Sequence, residues 1–113
     1  MIVFTADSDA TLNWHLYSYD YAWENPYAAE TPTELSCAED RGQRSAPLWI
    51  FNHFLTGPLA SPELAEMIGH DPFFSDRVRS CRDDAGGDLP NFVTVDFYDI
   101  GDVASVVDAL NGF

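Results

Sequence analysis

Asp96 is the residue in this chain whose type and position most clearly suggest chemistry. It lies near the end of a short apolar run, residues 91–98, which is followed by the turn 99–102. The run is typical of a buried parallel strand, and a helical pattern comes after it. Enzymes built from β/α units gather their active-site groups at the carboxyl ends of the strands. Asp96 is therefore a candidate active-site acid, or alternatively a structural acid that bonds a neighbouring loop.

The neighbours of Asp96 on its strand set the conditions for that role. Because strand side chains alternate between two faces, Asp96 shares a face with Phe92, Thr94 and Tyr98. An ionised carboxylate that is enclosed by protein costs several kcal/mol unless it is paired. We therefore expect Asp96 to have a cationic or hydrogen-bonding partner if that face is enclosed.

The histidines do not form a recognisable catalytic set. His53 follows Asn52 directly within the apolar run 47–55, so only one of the two side chains can lie on the inner face. We expect this to be Asn52, together with Leu48 and Ile50, and we expect His53 to be a hydrogen-bonded core group. Structural or surface roles are expected for the other two histidines, and no Ser-His-Asp or Cys-His constellation can be built.

The elements that position these residues follow from hydrophobic periodicity and from helix start and stop signals. The expected strands are near 1–7, 47–55 and 91–98, and the expected helices are near 61–68, 72–82 and 102–111. The strands at both ends of the chain and in its middle are expected to be buried. Residues 12–23 mix the helical and strand periods, so either element is possible there. The predicted organisation is a single α/β domain over residues 1–113.

Composition limits the classes of partner. The formal charge is −14, there is no lysine and only five arginines are present, which disfavours binding to nucleic acid or to an anionic membrane surface. No stretch is long and apolar enough for a transmembrane segment. The acids are scattered, and the densest group, residues 83–88, does not fit a calcium loop. The sequence therefore predicts no metal and no cofactor.

The two cysteines allow two interpretations. Cys37 falls in the irregular part of the chain and Cys81 in a predicted helix, and no Cys-x-x-Cys motif is present. Either the two residues form a disulfide or both are inert thiols. A disulfide would tie the irregular segment to the later β/α units and would imply an oxidising compartment.

An ordered set of motifs resembles the PLC-like phosphodiesterases, which are relatives of phosphatidylinositol-specific phospholipase C. The resemblance rests mainly on residues 90–102 and 107–111, with 50–56, 71–73, Arg77 and Cys81 before them. Segments 4–7, 21–27, 36–37 and 41–42 are similar to the same family in the same order. The resemblance therefore covers nearly the whole chain.

The resemblance implies the C-terminal portion, about three β/α units, of a TIM-type (β/α)8 barrel that cleaves phosphodiesters. In that family two histidines act as general base and acid, an arginine stabilises charge, and all three come from the first half of the barrel. They have no counterpart here, and since a whole barrel takes roughly 250 residues, we expect a fragment or a half-barrel that is inactive by itself. Asp96 matches the family acid that orients the general-base histidine.

The same resemblance implies a substrate mouth. Asn52, Trp23, Glu24, Asp7 and Tyr98 are the expected contacts to a phosphodiester or inositol-phospholipid substrate, once an N-terminal half completes the barrel. For Trp23 and Tyr98 the alternative is a place in the core. The family also suggests a secreted protein. The alternative is a non-enzymatic, acidic α/β interaction domain that forms homo-oligomers through open sheet edges.

Overall fold

A computed structural model describes residues 2–8 and 12–113 of the chain. The strands and helices that it contains are β1 (Val3–Thr5), β2 (His15–Tyr17), β3 (Ala22–Glu24), β4 (Leu48–Asn52), α1 (Pro62–Ile68), α2 (Phe73–Asp84), β5 (Phe92–Thr94) and α3 (Val103–Leu110). Single 3-10 turns occupy Ser18–Asp20 and Pro32–Glu34. All strand pairs in the described ranges are parallel, which confirms the predicted α/β class.

Three strands form the main sheet in the order β3-β4-β5, while β1 and β2 form a separate pair. The register places Ala22 beside Leu48, and Ile50 beside Phe92. Residues 53–91, which contain α1 and α2, connect the parallel strands β4 and β5 as a helical crossover. The carboxyl ends of β3, β4 and β5 therefore meet at one edge of the sheet.

One face of the main sheet, which we call the covered face, packs against the helices. Trp49 and Phe51 of β4 lie on this face and are 2% and 0% exposed. Phe74 and Val78 of α2 pack in the same core cluster, and both are fully buried. These two residues form the apolar side of α2. Val106 of α3 completes this cluster.

The opposite face, which we call the uncovered face, has no helix packed on it within the described ranges. Leu48 and Ile50 are only partly buried there, and Phe92 is 50% exposed. The expected burial of the middle strand, residues 47–55, is therefore wrong for Leu48 and Ile50, because helices pack on one face of the sheet only. The expected burial of the first strand is also wrong, since Phe4 is 49% exposed.

Local signals explain the element boundaries. The Ser61 hydroxyl accepts a hydrogen bond from the backbone N–H of Leu64 (3.3 Å), which caps the start of α1. The last strand is shorter than residues 91–98, and Phe97 has a positive φ of 52°, a backbone conformation that does not continue a strand. The ambiguous segment 12–23 forms two short strands and a 3-10 turn.

The crossover between β3 and β4 contains no α-helix and is held to α2 by side chains. Cys37 and Cys81 form a disulfide with a Cα–Cα distance of 5.1 Å. The two Nη groups of Arg44 donate hydrogen bonds to the carbonyl oxygens of Cys37 (2.6 Å) and Asp84 (2.8 Å).

None of the helices in the described ranges has the length and apolar character needed to cross a bilayer.

Candidate functional site at the carboxyl edge of the main sheet

A ladder of polar side chains joins the three strand ends of the main sheet. The Asn25 amide donates to the carbonyl of Asn52 (2.9 Å) and accepts from its backbone N–H (2.8 Å). The Asn52 amide in turn donates to the carbonyl of Asn25 (2.7 Å) and accepts from the Thr94 hydroxyl (2.6 Å). These bonds extend the backbone pairing by one step past the ends of β3 and β4.

The ladder determines what Asn52 can do. Asn52 shares the uncovered face with Leu48 and Ile50, as its strand alternation predicts, but it is only 5% exposed. Most of its hydrogen-bonding groups are already used within the protein. Its contacts therefore make Asn52 a connector of strand ends, and a substrate contact at this position stays a prediction.

His53 and Arg77 form a buried pair on the covered side. The Nε2 atom of His53 lies 2.9 Å from the Ile68 carbonyl oxygen, and its Nδ1 atom lies 3.0 Å from Nη1 of Arg77. The ring stacks on Phe74 with a centroid distance of 4.0 Å. Burial lowers the pKa of His53 to about 4, so the ring is neutral near pH 7. This agrees with the expected core role of His53.

Arg77 is the anchor of that pair. It is 8% exposed, and its guanidinium also donates to the carbonyl oxygens of Asn52 (3.0 Å) and Ser36 (3.1 Å). Its cationic group lies over the Phe51 ring at 4.4 Å. Burial lowers the pKa of Arg77 to about 10, which still leaves it charged at neutral pH. Arg77 thereby fastens α2 to the end of β4 and to the loop before Cys37.

Glu24, at the end of β3, is the most buried carboxylate of the candidate site. It is 3% exposed and accepts a charge-assisted hydrogen bond from Nε of Arg41. The Arg41 guanidinium lies 4.9 Å from the Tyr19 ring centroid and 4.4 Å from that of Tyr27. Burial and the charge of Glu24 raise the pKa of Tyr19 to about 12. Tyr19 is therefore a neutral hydroxyl beside an ion pair.

Asp96 follows the end of β5 by two residues and is partly exposed. With His53, Phe74 and Val103 it lines a narrow space of about 10 Å³. Within the described part of the chain, its carboxylate has no hydrogen-bond or ion-pair partner, so the expected partner is not found there. β3 and β5 are separated by β4, and neighbouring strands are about 4.8 Å apart. The Glu24–Arg41 pair, at the end of β3, and Asp96, after β5, thus lie at the two ends of this edge of the sheet.

The remaining predicted mouth residues do not gather around these groups. Trp23 belongs to the covered face, where it is 5% exposed and stacks on Trp49 with a centroid distance of 4.8 Å. Its ring is therefore enclosed by the core, and a substrate contact at Trp23 stays a prediction. Tyr98 is 81% exposed in the loop after β5, and Asp7 follows β1 of the separate strand pair.

Arg41, Tyr19 and Arg77 also belong to this edge, and none of them was predicted there. A signal for Arg41 was present, since a buried glutamate requires a cation and the chain has only five arginines. Nothing in the sequence pairs Tyr19 with that glutamate, because the contact is made across a turn. Residues 2–8 and 12–113 contain no group of three or more side chains that could hold a metal ion.

These features define a class of protein: a parallel α/β domain with its polar and ionisable groups at the carboxyl edge of the main sheet. The family model PI-PLC X 1 matches residues 1–111, so the chain belongs to the PI-PLC X domain family. A PI-PLC X domain-containing protein of Arabidopsis thaliana is 28% identical over 104 residues, which cover 85% of this chain. The chain spans about a quarter (24%) of that relative's length. No solved structure matches the chain.

Proposed function

We propose that this chain forms the C-terminal β/α units of a TIM-type barrel in a phosphoric diester hydrolase of the phosphatidylinositol-specific phospholipase C type. It would contribute the substrate-mouth side of the site, while the two histidines that act as acid and base would come from an N-terminal half. Calcium or another metal is no part of this proposal.

The observation that carries the proposal is the uncovered face of the main sheet. A barrel interior is lined by apolar side chains from parallel strands, with helices only on the outside. The main sheet has that arrangement: helices pack on the covered face alone, and Leu48, Ile50 and Phe92 lie on the other. Ionisable groups then lie at the carboxyl edge, where such barrels bind their substrates.

A chimera provides the test. Residues 1–111 replace the matching segment of an enzymatically active PI-PLC X relative, and turnover of phosphatidylinositol and of glycerophosphoinositol is measured. We expect the chimera to hydrolyse them and the isolated chain not to. General acid–base catalysis contributes about 10²- to 10⁴-fold, so the isolated chain should not exceed the blank. A chimera that melts cooperatively at the relative's temperature without turnover would contradict the proposal.

A second function is favoured by one observation, the outer edge of β5. Within the described residues no strand pairs with that edge, and an uncharged groove of about 630 Å³ lies between it and Val107 and Leu110 of α3. Open edges pair readily with other strands. We propose as the alternative an acidic, non-enzymatic domain that dimerises through β5. A concentration-independent monomer by light scattering would exclude this alternative.

A further inference from the structure

Arg41 differs from the other four arginines in which N–H groups of its guanidinium are without a partner in the described part of the chain. Arg77 is buried, and Arg44 donates both Nη groups to backbone carbonyls. Arg79 pairs with Asp76 through Nη1, and Arg82 donates both Nε and Nη2 to Asp83. In Arg41 the ion pair uses Nε, and no partner of Nη1 or Nη2 is found in the described part of the chain.

The environment of Arg41 holds the guanidinium in one orientation. Its Nε is bonded to Glu24, whose side chain is only 4% exposed, so the anchor is rigid. The rings of Tyr19 and Tyr27 flank it at 4.9 and 4.4 Å, while the Arg41 side chain remains 44% exposed. A planar guanidinium stacked on aromatic rings loses less entropy when it binds a ligand. The exposed part is therefore a preorganised fork of N–H donors.

The charge at this position also suits an anionic ligand. Glu24 contacts Nε of Arg41 and neither of its Nη atoms. Tyr19 keeps its proton because burial and Glu24 raise its pKa to about 12. Among the residues that surround Arg41, namely Glu24, Tyr19 and Tyr27, no second negative charge therefore competes for the two Nη groups. Guanidinium groups recognise carboxylates and phosphates by two parallel hydrogen bonds.

We propose that Arg41, held by Glu24, Tyr19 and Tyr27, binds a phosphate oxyanion through Nη1 and Nη2. The choice of phosphate over other oxyanions rests on the proposed phosphodiesterase function. The site itself rests on the geometry of the four residues. The ligand is either a free phosphate or the phosphodiester of a lipid head group, which share this chemistry.

Nuclear magnetic resonance on the unmodified chain tests the site directly. The Nε–Hε signals of the arginines are followed while inorganic phosphate, glycerophosphoinositol or myo-inositol is added. We expect a saturable shift of the Arg41 signal with at least one of the two phosphate compounds, and which of them binds more tightly identifies the source. No shift with either, equal shifts of all exposed arginines, or a shift with the neutral polyol alone would overturn the proposal.

Variants provide a matched comparison. Arg41→Gln should weaken phosphate binding by about 10-fold or more, since hydrogen bonds to charged groups are strong. Arg79→Gln removes the same charge from another exposed, carboxylate-paired arginine and should change binding less than about 2-fold. If Arg41→Gln does not fold, Arg41→Lys keeps the charge, loses the fork and should show a similar loss. Equal binding by wild type and Arg41→Lys would contradict bidentate recognition.

The phosphate-binding experiment and the chimera test the Arg41 site and the proposed enzyme independently of each other. Phosphate binding at Arg41 without turnover in the chimera would uphold the site and remove the proposed enzyme. Turnover in the chimera without phosphate binding at Arg41 would support the proposed enzyme and exclude the Arg41 site.

Discussion

The covered and uncovered faces of the main sheet are built from the same strands and have opposite environments. Along β4, Trp49 and Phe51 are 2% and 0% exposed, whereas their neighbours Leu48 and Ile50 are only partly buried. All four of these side chains are apolar, so strand alternation does not show which pair is covered. What differs is the presence of α2 and α3 on one side. An apolar face without a cover indicates a surface that other protein would bury.

The largest expected effect is a loss of turnover, and it tests whether the carboxyl edge of the main sheet forms part of a catalytic site. In the active chimera, Asp96→Asn keeps the size of the side chain but removes the charge proposed to orient the general-base histidine. In a comparable histidine–acid pair this loss costs about 10⁴-fold in rate. We expect a large fall in kcat with little change in KM.

Near wild-type turnover for Asp96→Asn, together with a lowered melting temperature for Asp96→Ala, would show that Asp96 is a structural acid. Asp99→Asn, in the same exposed loop, is the matched control and should leave turnover unchanged.

A matched pair of phenylalanines measures the difference between the two faces as free energy of unfolding. Phe51→Ala on the covered face should destabilise the chain by about 3–5 kcal/mol, because it leaves a cavity. Phe92→Ala on the uncovered face should cost about 1 kcal/mol, since half of that side chain is already exposed to water. Urea denaturation of both variants gives the two values. Equal losses would mean that the uncovered face is buried in solution.

His53 should make the covered face sensitive to acid. Because its pKa is lowered to about 4 by burial, the folded protein takes up its proton only at lower pH than the unfolded chain, whose value is near 6.5. The stabilising contribution is complete above pH 6.5 and falls as the pH drops towards 4, by about 3 kcal/mol. Unfolding free energies measured between pH 7 and 4 should show this slope in wild type and a smaller one in His53→Gln. The same slope in both proteins would refute it.

His70 should show the opposite pH dependence with the smallest effect. Its Nε2 lies 2.9 Å from Glu66, and its Nδ1 lies 3.4 Å from Asp102 at the start of α3. A hydrogen bond and ion pair with Glu66, helped by Asp102, raise the pKa of His70. Its contribution is therefore present below pH 6.5 and is lost as the pH rises through the raised value.

The melting temperature should consequently fall slightly between pH 6 and 8.5 in wild type and less in His70→Gln. A difference between the two proteins that grows with rising pH would show that the sign is wrong.

Local patterns in the sequence were sufficient for most elements. The helix near 61–68 starts after its serine cap, and the periodic stripe near 102–111 forms α3, because these signals act within one or two turns. Strand alternation likewise separated Asn52 from His53 and placed the latter in the core. The motif order also indicated the PI-PLC X family, to which residues 1–111 belong.

Only the tertiary structure decided which contacts the site residues make. Trp23 was enclosed by Trp49, and Glu24 was paired with Arg41, a residue seventeen positions away. Asn52 was bonded to Asn25 and Thr94 across two strand boundaries. Side-chain type and strand period determine the face on which a residue lies. They do not determine which helix covers that face or which distant group lies opposite, because those contacts depend on loops that carry no periodic signal.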